Sequence, residues 1–285
     1  MRTLLSAVAA LSLGASHAAA QDGIIGAIDD RVTSLAGDAT IIAGGGVGVV
    51  SQPYAGVEDG GRVFPIPMIS YQAERFRFEG KTLSAQLFAT DQVAFAAIAD
   101  WRFQSYDAED SPVLEGMDDR DGTLEAGARV TGALGDLALS ASVLADLLSR
   151  HGGYELNATA AYELSDWRPL SVRPFVGLRY QSDSLADYYY GVDPEEALSQ
   201  VCTQVVGTGC VAFDRFAYET GAALVPTIGI SARQALSRKW AVYGQATYDA
   251  FPEEITDSPI VSEDGLTSAF VGIVYLFGNA ADAVQ

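Results

Sequence analysis

His151 follows Ser149 by two residues and Asp146 by five, which brings together the residue types of a serine-hydrolase triad. A triad depends on geometry: the imidazole must reach the hydroxyl, and the carboxylate must orient the imidazole. His151-Gly152-Gly153 also reads as a hairpin tip, since glycine takes positive φ without strain, and a turn is the expectation here. The only other histidine, His17, lies in the N-terminal leader. A mature chain with one histidine has no multi-histidine metal site. Asp118-Asp119-Arg120-Asp121-Gly122 resembles half of a calcium loop. A full loop of the EF-hand type needs a Glu about eleven residues after its first ligand. Val130 or Arg129 stands there, depending on the starting aspartate, so a solvated acidic loop is expected. No catalytic residue, metal or cofactor is expected.

Cys202 and Cys210 sit close together in a polar stretch of an exported chain, and a small disulfide-closed loop is their expected state. Two Asp-Ser-Pro segments recur, Asp110-Ser111-Pro112 and Asp257-Ser258-Pro259. Proline fixes φ while Asp and Ser bond nearby amides, so both are read as loop stiffeners, with a shared binding surface as the alternative. Tyr188, Tyr189, Tyr190 and Gly191 suit either an aromatic girdle at the headgroups or an exposed contact for a partner or glycan.

The elements that hold these residues alternate in polarity. In Tyr154-Glu155-Leu156-Asn157-Ala158-Thr159-Ala160-Ala161-Tyr162-Glu163-Leu164 the even positions are apolar and the odd ones mostly polar. Side chains alternate across a strand, so one face suits lipid and the other water. Strands of about 9–11 residues cross a bilayer when tilted, and many of them in one secreted chain indicate an outer-membrane β-barrel. Strands are predicted over 40–50, 62–72, 123–133, 136–147, 154–164, 171–181, 217–233, 239–250 and 266–277. The stretch 75–106 breaks weakly at Glu79-Gly80-Lys81 and Thr90-Asp91-Gln92, and must make an odd number of passes. One pass gives ten strands and three give twelve; twelve is favoured. Turns at 134–135, 165–170 and 237–238 are short and periplasmic, while 104–122, 183–214 and 251–265 are long and extracellular. With apolar faces outward, Glu125, Arg129, Glu155, Glu163, Arg173, Arg179 and Asp249 point into the lumen, lining an aqueous path or pairing into a closed ion network.

The ends read differently. Arg2, the apolar run from Leu4 to Leu13 and Ala18-Ala19-Ala20 form a secretory leader over 1–20. Residues 21–39 place Ile24, Ile28, Val32 and Leu35 on one helical face, as a periplasmic segment or a lumen plug. A polar tail, 278–285, follows the barrel at 40–277. The formal charge of −20 provides no basic stripe, which excludes nucleic acid. Acidic loops suit cations, or lipopolysaccharide through bridging divalent ions.

Several motifs together resemble the MipA/OmpV family of Gram-negative outer-membrane proteins. They are Gly44-Gly45-Gly46-Val47-Gly48-Val49, Pro53-Tyr54-Ala55-Gly56 and Arg62-Val63-Phe64-Pro65-Ile66-Pro67-Met68-Ile69-Ser70-Tyr71. Asp110-Ser111-Pro112 with Leu114-Glu115-Gly116-Met117, His151-Gly152-Gly153, Tyr189-Tyr190-Gly191-Val192 and Asp257-Ser258-Pro259-Ile260-Val261 follow in order. The insert at 200–210 and the tail after Phe277 depart from that pattern. The resemblance implies an outer-membrane protein without known catalysis. One member class links a lytic transglycosylase to a peptidoglycan synthase, and others are surface antigens, adhesins or permeability proteins.

Overall fold

The computed structural model describes residues 40–57, 61–164, 170–206, 209–237 and 239–277. The leader, the 21–39 segment and the tail lie outside these residues. Twelve strands close a barrel: β1 (Thr40–Val50), β2 (Arg62–Gln72), β3 (Phe76–Glu79), β4 (Thr82–Ala89), β5 (Val93–Arg102), β6 (Thr123–Leu134), β7 (Leu137–Asp146), β8 (Tyr154–Tyr162), β9 (Leu170–Gln181), β12 (Ala223–Ala235), β13 (Trp240–Ala250) and β14 (Gly265–Phe277). Between β9 and β12 come a helix, α1 (Asp183–Tyr190), and a separate hairpin of β10 (Leu198–Val206) with β11 (Gly209–Arg215). A single helical turn, α2 (Glu253–Thr256), precedes β14.

Closure follows from the bilayer: inside hydrocarbon every backbone N–H and C=O needs a partner, and a ring of strands has no free edge. Here β1 pairs with β14 on one side and β2 on the other, both antiparallel. Glycines make that seam possible. A Cβ on Gly44 would lie 2.0 Å from the Ile273 carbonyl oxygen, and one on Gly46 would lie 2.3 Å from that of Val271.

Alternation holds as the sequence suggests. Along β13, Ala241, Tyr243, Gln245, Thr247 and Asp249 are buried inside, while Trp240, Ala246 and Tyr248 are exposed to the lipid side. Outward aromatics gather at the strand ends, with Trp240 and Tyr275 in edge contact at 4.9 Å and Tyr154 beside Tyr180. These form the girdles that sit at headgroup level.

The stretch 75–106 makes three strands, β3, β4 and β5, which gives twelve in all. Yet β3 has only four residues, where a full crossing takes about 9–11. It meets β2 through Ser70, Tyr71 and Gln72 alone. Gly80, at φ 57°, turns the chain back early, and Asp100 on β5 holds the tip through Lys81 Nζ at 2.6 Å and the Thr82 hydroxyl. The β3–β4 hairpin therefore stops partway up the wall.

The strand predicted from 217 begins at Ala223. Tyr218 instead bridges to Val192, the Thr220 N–H donates to Asp187 Oδ1 at 3.0 Å, and Gly221 turns at φ 69°, so 217–222 belong to the loop.

The extracellular loops pack on one another. Tyr54 and Ala55 from the first, Tyr106, Val113, Leu114 and Met117 from the second, Leu185, Ala186, Tyr189 and Tyr190 from α1, and Ile255, Ile260 and Val261 from the last form one apolar cluster. It reaches Ala223 and Val225 at the top of β12 and caps that end of the barrel.

Candidate functional site

Beneath the cap, alternation and register bring charged and polar side chains into one inward-facing row. Ser70, Glu79, Thr82, Asp100, Glu125 and Asp146 follow one another across six strands in a single register row. Arg102, next but one along β5 from Asp100, reaches carboxylates on β6 and β8. Its Nε and Nη2 donate to Glu125 at 2.8 and 3.2 Å, and Nη2 also donates to Glu155 at 2.9 Å. All three side chains have 0% exposure. Asn157 Nδ2 donates to the other oxygen of Glu155 at 2.6 Å. Further round the wall, Arg179 on β9 pairs with Asp249 on β13 at 3.3 Å, and the Thr227 hydroxyl donates to Asp249.

His151 completes this network. Its Nδ1 accepts the Gly153 N–H at 3.0 Å, so Nε2 carries the proton and donates to Glu125 at 3.2 Å. With 6% exposure and both nitrogens engaged, the ring is a structural link. The triad geometry is absent. Asp146 accepts the Thr123 hydroxyl and the N–H groups of Leu148, His151 and Gly152, while Ser149 is exposed at φ 55°.

The remaining lumen charges occupy other levels. Glu163 and Arg173 pair at 2.8 Å toward the periplasmic end, half-buried. Arg129 lies half-buried on the lumen side of β6. Thus Glu125 and Glu155 share one closed network with Arg102, while Arg179 and Asp249 form a separate pair; Arg102 escaped sequence reasoning because it fell in the ambiguous 75–106 stretch. The signal was present: Phe95 and Trp101, two outward aromatics six residues apart, put Asp100 and Arg102 on the inner face.

The loop motifs tie the cap. The Ser111 hydroxyl donates to the Ala55 carbonyl at 2.8 Å and accepts the N–H groups of Val113 and Leu114, while Asp110 lies 3.7 Å from Arg62 and Pro112 is exposed. The Ser258 hydroxyl donates to the Tyr190 carbonyl at 2.5 Å, between exposed Asp257 and buried Pro259. Tyr189 and Tyr190 are buried on α1, which corrects both the girdle and the exposed-contact readings: the apolar cluster beneath the loops draws them in. Tyr189 donates its hydroxyl to the Asp121 carbonyl, and Tyr54 donates to the Tyr189 carbonyl. A Cβ on Gly191 would lie 2.4 Å from Asp187 Oδ1, so glycine alone lets α1 end there.

The acidic run at 118–122 spreads apart. Asp119 accepts the Ala108 N–H, Asp121 pairs with Arg150, and Arg120 forks onto both oxygens of Glu196 at 3.0 Å. Among the described residues no three acidic, His or Cys side chains converge as a metal site would need. The cysteine pairing falls on side chains outside the described ones. The backbone register sets Cys202 opposite Ala212 and Cys210 opposite Val205.

Within the cap, burial pushes the Tyr54 and Tyr106 hydroxyls above their ordinary value of 10.0, Tyr54 further through its tyrosine neighbours. Burial and then the carboxylates of Asp110, Asp119, Asp121 and Glu109 raise Asp107.

A closed twelve-strand antiparallel barrel with an apolar exterior, aromatic girdles and packed outer loops defines an outer-membrane barrel protein. The chain belongs to the family described as MltA-interacting protein MipA, which matches residues 43–277. It is 28% identical to the MltA-interacting protein of Escherichia coli (strain K12) over 238 residues, covering 82% of this chain and 89% of that one. It is 27% identical over 157 residues to outer membrane protein OmpV of Vibrio cholerae, covering 55% of each. The NanC porin overlays 83% of this chain and 98% of its own at a TM-score of 0.38 and 9% identity, so the fold assignment rests on the sheet topology itself.

Proposed function

We propose that this protein is a sealed outer-membrane barrel that serves as a structural docking protein for murein machinery. The observation that carries this reading is the buried Arg102–Glu125–Glu155 network lying under a four-loop apolar cap. An aqueous pore keeps its charges hydrated along a path, whereas Arg102, Glu125 and Glu155 pair with one another at no exposure. A lumen closed along the barrel axis leaves the two rims as working surfaces. The short periplasmic turns at 73–75, 90–92 and 135–136 face the cell wall. The name of the E. coli relative states an interaction with MltA, and a murein hydrolase or synthase is the partner class that follows for this chain. The exposed acidic loops would meet lipopolysaccharide through divalent ions, and a disulfide between Cys202 and Cys210 would stiffen the β10–β11 hairpin.

Mild crosslinking of intact cells tests the proposal. Co-isolation of the barrel with a murein hydrolase or synthase, lost when the periplasmic turns are replaced by short Gly-Ser linkers, is the expected result. Recovery of the barrel alone would overturn it.

A further inference from the structure

The wall between β2 and β3 is incomplete. Of the eleven residues of β2, only Ser70, Tyr71 and Gln72 pair with β3, so among the described residues its extracellular two-thirds has no strand partner on that side. The Gly80 N–H donates to the Ile69 carbonyl at 2.9 Å, which shows that Ile69 turns its backbone groups toward β3. In an antiparallel strand that direction alternates, so Pro67, Pro65 and Val63 turn theirs to the same side, into the gap. Proline has no N–H to leave unpaired, and it is found on strand edges for that reason. Pro65 and Pro67 thus stand where a bare edge inside a bilayer is otherwise most costly.

A small cavity of about 50 Å³ lies at this gap. Its outer lip is Pro67 and Ile69, whose side chains face the lipid, and its inner wall is Met68, Tyr243, Phe270 and Val274, which face the lumen. The lumen behind it is apolar: Ile42, Phe270, Val274 and Leu276 pack with Tyr243, joined by Ile66 and Met68. The ionic network lies elsewhere, on β5, β6 and β8. On the apolar side, the Tyr243 hydroxyl and Gln245 are buried polar groups without a hydrogen-bond partner among the described residues. Gln245, opposite Phe270 in the β13–β14 register, is 5% exposed, and neither its amide oxygen nor its nitrogen has a hydrogen-bond partner among the described residues. A buried amide left so is unfavourable, so the site favours a ligand that bonds it. At the sill Arg77 Nε lies 3.5 Å from Glu79 Oε1, which balances the charge there and suits a neutral head group.

We propose that the β2–β3 gap is a lateral port through which a membrane amphiphile, one hydrocarbon chain with a neutral hydrogen-bonding head, enters the lumen. The chain lies along Met68, Phe270 and Val274, and Gln245 bonds the head. The membrane is the source because the lip faces hydrocarbon: Val63, above it on β2, is 71% exposed. The cap closes the alternative route from above.

The test uses the full chain refolded into phosphatidylcholine vesicles doped with a monoacylglycerol that carries a mid-chain diazirine. After irradiation, adducts are mapped by mass spectrometry. The port requires adducts on inward-facing Met68, Phe270 or Val274 as well as on outward-facing Val63 and Ile69. Gln245→Leu should lower the inward adducts about tenfold, the worth of one hydrogen bond, and Met68→Trp should abolish them while the outward adducts persist. Heat-modifiable migration on gels reports folding of each variant, and Ile66→Trp replaces Met68→Trp if that variant does not fold. Adducts confined to outward-facing residues, or inward adducts that neither variant changes, would overturn the port. Neither conductance nor crosslinking to murein enzymes enters this test, so it stands apart from the docking proposal.

Discussion

At the scale of single residues, Arg102 is the centre of the interior. Two carboxylates from different strands share its guanidinium with no solvent contact. Removing one partner of a buried ion pair strands the others, at about 3–5 kcal/mol. Arg102→Ala is therefore expected to lower the unfolding free energy of the detergent-folded barrel, from urea titration, by that much, and an unchanged value would show that the network contributes nothing. His151→Ala removes only one donor from Glu125, so about 1–3 kcal/mol is expected from the same titration. The cap tyrosines give a pH dependence. Tyr54 and Tyr106 ionise above 10.0 when folded, whereas the opened loops ionise near that value. The open form then loses protons first as pH rises, so cap stability is intact below pH 10.0 and falls above it. Limited proteolysis of the outer loops should accelerate across that alkaline range and stay constant between neutral pH and its onset.

At the scale of elements, the seam and the short hairpin set the shape. Gly46→Val forces a side chain onto the Val271 carbonyl, and Gly44→Val does the same at Ile273. Either variant is expected to leave most of the protein in the unfolded, slow-migrating band on unheated gels, whereas Gly45→Ala, with nothing nearer than 3.8 Å, should fold normally. Much of this level was legible in the sequence. Alternation in 154–162 and 240–250 placed each face correctly, because a half-buried strand has to repeat every second residue. Twelve strands followed from counting passes. The length of β3 was not legible, because its limit is set by a Gly80 turn and by Asp100, twenty-one residues from Glu79, holding the tip. Nor was the cap, since Ser111 finds Ala55 and Ser258 finds Tyr190 only once four separate loops meet. The tyrosines of α1 looked like surface aromatics because a loop sequence carries no sign of what lies beneath it.

At the scale of the whole molecule, the interior divides into an ionic half and an apolar half. The ionic half, on β5, β6 and β8, joins the strands around it and fills space beneath the cap. The apolar half, made by β1, β2, β14 and the Ala241–Tyr243 end of β13 away from Asp249, lies beside the unpaired stretch of β2. A barrel built to pass water and ions would line its lumen with hydrated groups throughout. This one pairs Arg102 with Glu125 and Glu155 internally and packs its outer loops over that end, and the proposal of a membrane-embedded platform rather than a passage along the barrel axis rests on those two features.

Single-channel recording in a planar bilayer tests that claim most directly. Both the full-length barrel and a variant lacking 21–39 should show no steady conductance, because the seal is made by residues between 40 and 277. Steady conductance in either would contradict the sealed barrel, and conductance in the deletion alone would assign the seal to the N-terminal segment.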